Sequence, residues 1–288
     1  MGSTIKKVVI PVAGFGTRFL PATKAQPKEM LPVVDKPILQ YIVEEAVASG
    51  IEDVIIVTNF NKRAAEDHFD HLPELENWLL KQGKTRALQE VSRIAELANF
   101  IYIRQKGPYG NGTPILCAKH VIGQEPFAVI WGDDLIVGEP PRLKQLIEVY
   151  QQYGGPVVTG YEVNDEGTKK YGMLKTKTLS DSVFEVQGIV EKPGPQKSPS
   201  HLASLGGYIL TPDIFTALEQ TKLGRDNELW LVDGIERLRQ QRPIYAKKVS
   251  GTYYDVGSKL GWLQANVSLA LQHPELKQTF KNYLTTQL

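Results

Sequence analysis

Pro11-Val-Ala-Gly-Phe-Gly-Thr-Arg-Phe-Leu-Pro-Ala-Thr-Lys-Ala-Gln-Pro-Lys-Glu-Met-Leu31 is the stretch that decides the fold. It follows the apolar run Val8-Val9-Ile10, which reads as a buried strand over Lys7–Val12. Gly14 and Gly16 can adopt positive φ and let backbone N–H groups approach an anion with no Cβ in the way. Thr17-Arg18, Lys24 and Lys28 place a hydroxyl and mobile positive charge beside those donors. A strand running into such a loop is the phosphate-binding element of an α/β sheet, and a triphosphate suits its charge.

Two better-known phosphate loops do not fit. The dinucleotide fingerprint needs a third small residue where Phe19 stands, and the P-loop needs a terminal Gly-Lys-Ser/Thr that is missing. Further along, Asp35–Ile38 opens a helix with Ile38, Tyr41, Ile42 and Ala46 at helical spacing, ended by Gly50. Strands at Val54–Val57, Ile101–Arg104 and Phe127–Trp131 alternate with helical segments at Asn61–His68, Glu74–Ala98 and Ile115–Val121. That alternation implies parallel strands joined by right-handed crossovers. Beyond Gly154 the strands Val157–Val163, Gly172–Thr176, Val183–Val190 and Leu205–Leu210 have short connections, which suggests antiparallel or mixed additions. Helices over Pro212–Gln220 and Leu229–Gln240 precede a strand over Lys247–Tyr254. Helices over Leu260–His273 and Pro274–Gln287 end the chain, the first with Leu260, Leu263, Val267 and Leu271 on one stripe. The expectation is one α/β domain over 1–288, a mostly parallel mixed sheet flanked by helices, with a helical appendage from about 260.

Composition excludes several functions. With 33 basic and 32 acidic residues the formal charge is +1, so no field favours nucleic acid. No apolar run approaches the ~18 residues of a membrane span, and the opening Met1–Lys7 lacks a secretory h-region. Cys117 is the single cysteine, so an internal disulfide is impossible and a cytoplasmic setting is expected. His68 and His71 have no third ligand nearby in sequence and read as a solvated helix face.

Ligands of open α/β sheets collect beyond the carboxyl ends of the strands. The glycine loop, Gly132-Asp133-Asp134, Glu191-Lys192-Pro193 and Asp255-Val-Gly-Ser-Lys259 all follow strands. Asp133 and Asp255 could each give Mg²⁺ one carboxylate, or could cap a turn and the helix near Lys259. Pro193 biases Lys192 towards an extended backbone, and Glu191 offers acceptors for sugar hydroxyls.

Val9–Arg18, Pro27-Lys-Glu-Met-Leu-Pro32, Arg104-Gln105, Asp133-Asp134, Val190-Glu-Lys-Pro193 and Tyr254–Gly261 together resemble the bacterial UTP–glucose-1-phosphate uridylyltransferases, in family order over nearly the whole chain. The resemblance implies a Rossmann-like nucleotide-diphospho-sugar transferase fold. It also implies transfer of uridylyl from UTP to α-D-glucose 1-phosphate with Mg²⁺, in a homodimer or homotetramer. By the same resemblance, Ala13, Gly14, Gly16 and Thr17 line the nucleotide, and Arg18 and Lys28 meet the triphosphate. Gln105, Gly110 and Gly112 face uracil, and Asp133 and Asp255 hold the metal. Gly172, Glu191, Lys192 and Gly206 bind the sugar phosphate, and Glu29 is a further candidate for orienting the base or the loop. Arg18, Lys28, Asp133, Lys192 and Asp255 form the expected catalytic set.

The chain departs from the common pattern at Thr113-Pro114 (often His-Ala), Trp131-Gly132 (Leu-Pro), His201 (Asn), Gly207 (Arg) and Leu229–Asp233. These leave base choice, sugar choice and subunit contacts open, so a relative using dTTP, CTP or another hexose 1-phosphate is the alternative.

Overall fold

The computed structural model describes residues 4–287; Met1–Ser3, part of the segment read for a leader, and Leu288 lie outside the described residues. The chain opens with β1 (Lys7–Pro11), the glycine loop, and the two-residue strands β2 (Pro32–Val33) and β3 (Lys36–Pro37). Helix α1 (Ile38–Ala48), β4 (Asp53–Thr58), α2 (Arg63–Asp67), α3 (Pro73–Lys81), α4 (Thr85–Ala95) and β5 (Asn99–Arg104) follow. Next come α5 (Thr113–Cys117), α6 (Lys119–Ile122), β6 (Phe127–Val129), β7 (Leu135–Val137) and α7 (Arg142–Tyr153). The second half contains β8 (Val157–Glu162), α8 (Asp165–Thr168), β9 (Gly172–Thr178), β10 (Val183–Glu191) and β11 (Leu202–Leu210). It ends with α9 (Asp213–Glu219), α10 (Leu231–Arg239), β12 (Tyr245–Lys248), β13 (Thr252–Tyr254), α11 (Lys259–Ala270) and α12 (Lys277–Gln287).

Nine strands form one mixed sheet in the order β5-β4-β1-β6-β11-β8-β12-β10-β9. The first four are mutually parallel, as the strand–helix alternation implies, and β11 and the β9–β10 hairpin run antiparallel to their neighbours. β1 is flanked by β4 on one side and β6 on the other, so the chain reverses its direction of travel across the sheet between β1 and β6. A crevice opens at such a switch point. Alternate residues of these apolar strands feed two cores: Val8 and Ile10 pack with α1 and α7, Val9 and Val129 with α5, α9 and α10.

Several expected elements come out differently. Glu74–Ala98 is two antiparallel helices, because Gly83 takes φ +67° and ends α3. Lys247–Tyr254 is two strands: Gly251 at φ +119° turns the chain, β12 stays in the main sheet, and β13 pairs with β7 in a separate ribbon. The stripe on α11 faces outward, with Leu260 67% and Leu263 52% exposed. The helix packs instead through Gly261 and Ala265, where a Cβ on Gly261 would lie 2.2 Å from the Asp255 carbonyl oxygen. Two hydrogen bonds tie this helix to the start of the chain. The Trp262 indole donates to Pro32 O (3.0 Å), and Val34 N donates to Asn266 Oδ1 (2.9 Å), clipping the β2–β3 turn. His68 is half-buried and bonded to Gln40, so it does not belong to a solvated face.

Helix α7 was not anticipated, although Leu143, Leu146, Ile147 and Tyr150 repeat at helical spacing after Pro140-Pro141. Its first residue, Arg142, is fully buried. The guanidinium grips Glu45 of α1 through Nε (3.0 Å) and Nη2 (2.8 Å), and donates to Gly206 O (2.7 Å) and Asp134 O (3.1 Å). Burial alone would lower the Arg142 pKa, but Glu45 and Asp134 outweigh it and hold it above the ordinary value. A Cβ on Gly207 would stand 2.9 Å from Arg142 Cδ, and Gly207 has φ +112°. Thr159 Oγ1 would be nearer still, at 2.6 Å, so this positive-φ position between Thr159 and Arg142 calls for glycine.

Removing one partner of a buried ion pair leaves a bare charge, so Arg142→Met should cost about 3–5 kcal/mol in urea unfolding, and Arg142→Met/Glu45→Gln should recover much of it. Asp134 has its pKa pushed by burial from 3.8 to about 6, against the pull of Arg142. Between those two values the folded chain holds the extra proton, so stability falls as pH rises through the window. The slope is about 1.4 kcal/mol per pH unit at its steepest. Unfolding free energies from urea titrations at pH 4 to 7 should fall more steeply with pH in the wild type than in Asp134→Asn, which loses the contribution of this carboxyl.

Candidate active site

The glycine loop leaves β1 at the switch point. Gly16 takes the left-handed conformation (φ +68°), and its carbonyl accepts from Thr23 Oγ1 (2.7 Å) and Phe19 N (3.1 Å). Of the two glycines only Gly16 needs positive φ; Gly14 is not in that region and lies exposed over Lys28. Phe19, too bulky for a dinucleotide turn, is buried edge-to-face against Trp262 of α11 at 6.3 Å. The loop then turns inward through a short 3₁₀ turn, Lys28–Met30.

Charges of both signs converge beneath it. Lys28 Nζ lies 2.5 Å from Asp133 Oδ2. Arg18 approaches Asp133 at 3.6 Å and Asp255 at 4.0 Å, so one guanidinium lies against both aspartates. Neither aspartate acts as a cap: Ser258 Oγ accepts from Gly261 N (3.1 Å) at the start of α11, which leaves the Asp255 carboxylate free to meet Arg18. Gly257 is a site residue that the motif contained but the reading passed over. A Cβ there would fall 2.5 Å from Asp133 Oδ2 and 2.8 Å from Arg18 Nη2, so any larger residue would displace the two side-chain ends from one another.

Inside this group Glu29 is buried and lies 3.1 Å from Lys62 Nζ and 3.8 Å from Lys28 Nζ. Burial drives the Glu29 pKa upward against the pull of both lysines. For Lys28 burial works against the charged form, but Asp133 and Glu29 prevail and raise its pKa. Lys62 was not identified from sequence; a lysine in a polar loop carries no signal of burial.

Asp134 points the other way. Its Oδ2 accepts from Gly206 N (2.6 Å), and the Tyr253 hydroxyl faces the same carboxyl. Gly206 sits where the β11 ladder shifts register between Leu205 and Tyr208, and its Cα abuts the Trp131 indole. Beside it, Gly172 of β9 is paired with both Glu191 and Ser204, which brings Gly172, Glu191, Lys192 and Gly206 to one end of the sheet. Lys192 does not take the extended backbone that Pro193 favours. Its φ is +47°, its N–H donates to Tyr171 O (3.2 Å), and its ammonium rests 3.4 Å from Glu191. The β9–β10 register fixes that bend more firmly than the local preference opposes it.

Gln105 follows β5, its amide donating to Thr58 O (2.9 Å). Tyr109 O accepts from Leu229 N (2.8 Å) and Gly112 N donates to Leu229 O (2.9 Å), while Asn111 Oδ1 receives Leu231 N (2.7 Å). The loop carrying Gly110 and Gly112 is thus braced by the divergent Leu229–Asp233 segment. Ala13 stands between β1 and Gly14, and Thr17 opens the 3₁₀ turn Thr17–Phe19. Among the described residues no three His, Cys, Asp or Glu side chains gather as a metal cluster, and no helix is long and apolar enough to cross a membrane.

The nucleotidyl transferase family model matches residues 7–272. A Bacillus subtilis (strain 168) protein described as UTP–glucose-1-phosphate uridylyltransferase YngB is 50% identical over 284 residues, covering 99% of this chain and 96% of its own. A UDP-glucose pyrophosphorylase solved with UDP-glucose superimposes with TM-score 0.85 at 43% identity, over 94% of this chain and all of the other. A UTP-bound enzyme from Acinetobacter baumannii gives 0.92 at 38% identity, over 98% and 99% of the two chains. With the family model spanning residues 7–272 and relatives near 50% identity over almost the whole chain, this chain belongs to the nucleotidyl transferase family, among its UTP–glucose-1-phosphate uridylyltransferases.

Proposed function

We infer that the chain transfers the uridylyl group of UTP to α-D-glucose 1-phosphate, forming UDP-glucose and pyrophosphate. The supporting observation is the convergence of Arg18, Lys28, Asp133 and Asp255 at the switch point, next to the strand end that carries Glu191 and Lys192.

The sugar phosphate is ionised near neutral pH, so the reaction needs no protein nucleophile or base. Its obstacle is anion meeting anion, about 4 kcal/mol at ~4 Å and an effective dielectric near 20. Arg18 and Lys28 take the triphosphate; in the resting site both cations rest on Asp133, and phosphate oxygens draw them off it. Lys192, already beside Glu191, turns to the incoming sugar phosphate at the strand end that Gly172 shares, and Gly206 supports that end by seating Asp134 on its N–H and Arg142 on its carbonyl. Asp133 and Asp255 are hard oxygen donors lying against one guanidinium, a set that fits Mg²⁺, which takes one or two protein carboxylates and fills its shell with water and phosphate oxygens. When bound, such a cation supplies charge neutralisation at the reacting phosphates. Catalysis is then alignment and preorganised charge for in-line displacement, with no covalent enzyme intermediate.

Ala13, Gly14, Gly16 and Thr17 shape the nucleotide side. The Gln105 carboxamide reads uracil but can flip to suit cytosine. The Gly112 N–H is engaged by Leu229, so another backbone group of Gly110–Gly112 sets the polarity. Cytoplasmic location and assembly as a homodimer or homotetramer belong to the same reading. The second reading, dTTP or CTP or another hexose, rests on Thr113-Pro114 beside the base loop; a methyl is discriminated by only ~1–3 kcal/mol.

A pyrophosphate-release panel across UTP, dTTP, CTP and several hexose 1-phosphates should give its highest kcat/KM with UTP and glucose 1-phosphate. A higher value with dTTP or CTP would favour the second reading. Asp133→Asn should lower kcat on the order of 10²-fold or more, the scale of losing one preorganised electrostatic group. Lys192→Ala should chiefly raise the KM for glucose 1-phosphate, checked by varying each substrate separately.

A further inference from the structure

Lys62 has no part in the chemistry above, yet it is among the most deeply buried charged groups of the protein, 2% exposed. An unpaired ammonium would not remain there. Its Nζ lies 3.1 Å from Glu29 Oε2; Glu29 is 1% exposed, and its other oxygen lies 3.8 Å from Lys28 Nζ. Lys28 in turn meets Asp133 at 2.5 Å. Charges therefore alternate from interior to cleft: Lys62 positive, Glu29 negative, Lys28 positive, Asp133 negative.

The inner half of this row is rigid. Lys62 N donates to Asn59 O (3.2 Å), and Lys62 O accepts from Ala65 N (2.9 Å) at the start of α2, so its backbone is held at both ends. Gly132 closes the opposite side, where a Cβ would lie 3.1 Å from Glu29 Cγ. Lys28 is the member that faces the cleft, its ammonium set between Glu29 and Asp133. Without Lys62 the Glu29 carboxylate would have Lys28 as its nearest counter-ion, and the lysine would fold inward onto it.

We propose that Lys62 is a positioning residue for the nucleotide phosphates: by occupying the inner oxygen of Glu29 it keeps the Lys28 ammonium at the cleft. The inference deepens the reading above and rests on Lys28 being a triphosphate ligand. A role in stability alone would affect both substrates equally. The positioning role acts on UTP and only through Lys28.

The test is calorimetric UTP binding, with KM values for both substrates, on Lys62→Met, Lys62→Arg, Lys28→Met and Lys62→Met/Lys28→Met. Lys62→Met should weaken UTP binding about tenfold, within the range of coupled neighbours, and change the KM for glucose 1-phosphate less than about twofold. Lys62→Arg, which still presents a cation to Glu29, should restore most of the affinity. In the Lys28→Met background the Lys62 substitution should add nothing. Should Lys62→Met not fold, Lys62→Met/Glu29→Gln keeps the question open to test: it leaves no bare buried charge and no carboxylate to draw Lys28 inward, so UTP affinity should stay near that of the wild type, and a tenfold loss in this pair would overturn the inference. Unchanged UTP affinity in Lys62→Met, equal losses for both substrates, or the same loss with and without Lys28 would overturn the inference alone. Full UTP affinity in Lys28→Met would overturn the phosphate assignment of Lys28 and the inference with it.

Discussion

Two adjacent aspartates facing opposite ways at the switch point of the sheet are the constraint on which the rest of the site depends. Asp133 turns to Lys28 and Arg18, and Asp134 turns to the amide of Gly206. One dipeptide thus ties the glycine loop to the bulge of β11. Neighbouring carboxylates repel, and here each is balanced by its own donors, while burial raises the pKa of Asp134. A shift of this turn by one residue would exchange the two environments and dismantle both halves.

Charged groups below the surface hold that turn still. Arg142 joins α1, the Asp134 backbone and the Gly206 bulge through four directed hydrogen bonds. From the same helix Gln145 exchanges hydrogen bonds with Ser250 and so steadies the turn that sends β13 towards Asp255. Buried ions are poor sources of stability compared with apolar residues, and they are worth keeping where geometry must be unique. In this protein Arg142 lies directly behind the Asp133-Asp134 turn, and Glu29 and Lys62 behind Lys28.

The legible parts of the fold were those with a local signal. β1, β4 and β6 are continuous apolar runs, and α1 shows its spacing and its stop, so the parallel half of the sheet could be read directly. The small ribbon of β7 and β13 was hidden because three-residue strands have no period to detect. The stripe on α11 was read correctly as a stripe and placed on the wrong side: periodicity tells that a helix has two faces, whereas close packing of Gly261 on Asp255 decides which one is covered. Lys192 illustrates the same limit, since sheet register overruled the preference set by Pro193.

By itself the sequence determined the glycine loop, the order of its acidic and basic motifs along the chain, and the α/β class, because each is written in residue type and short spacing. Only the tertiary structure decided that Ser258 rather than Asp255 caps α11, that Gly257 admits the closing loop, and that Lys62, Glu29 and Arg142 lie buried behind the crevice. Those facts depend on what stands opposite a residue across the fold. A charge in a polar segment looks the same in sequence whether it faces water or a single counter-ion.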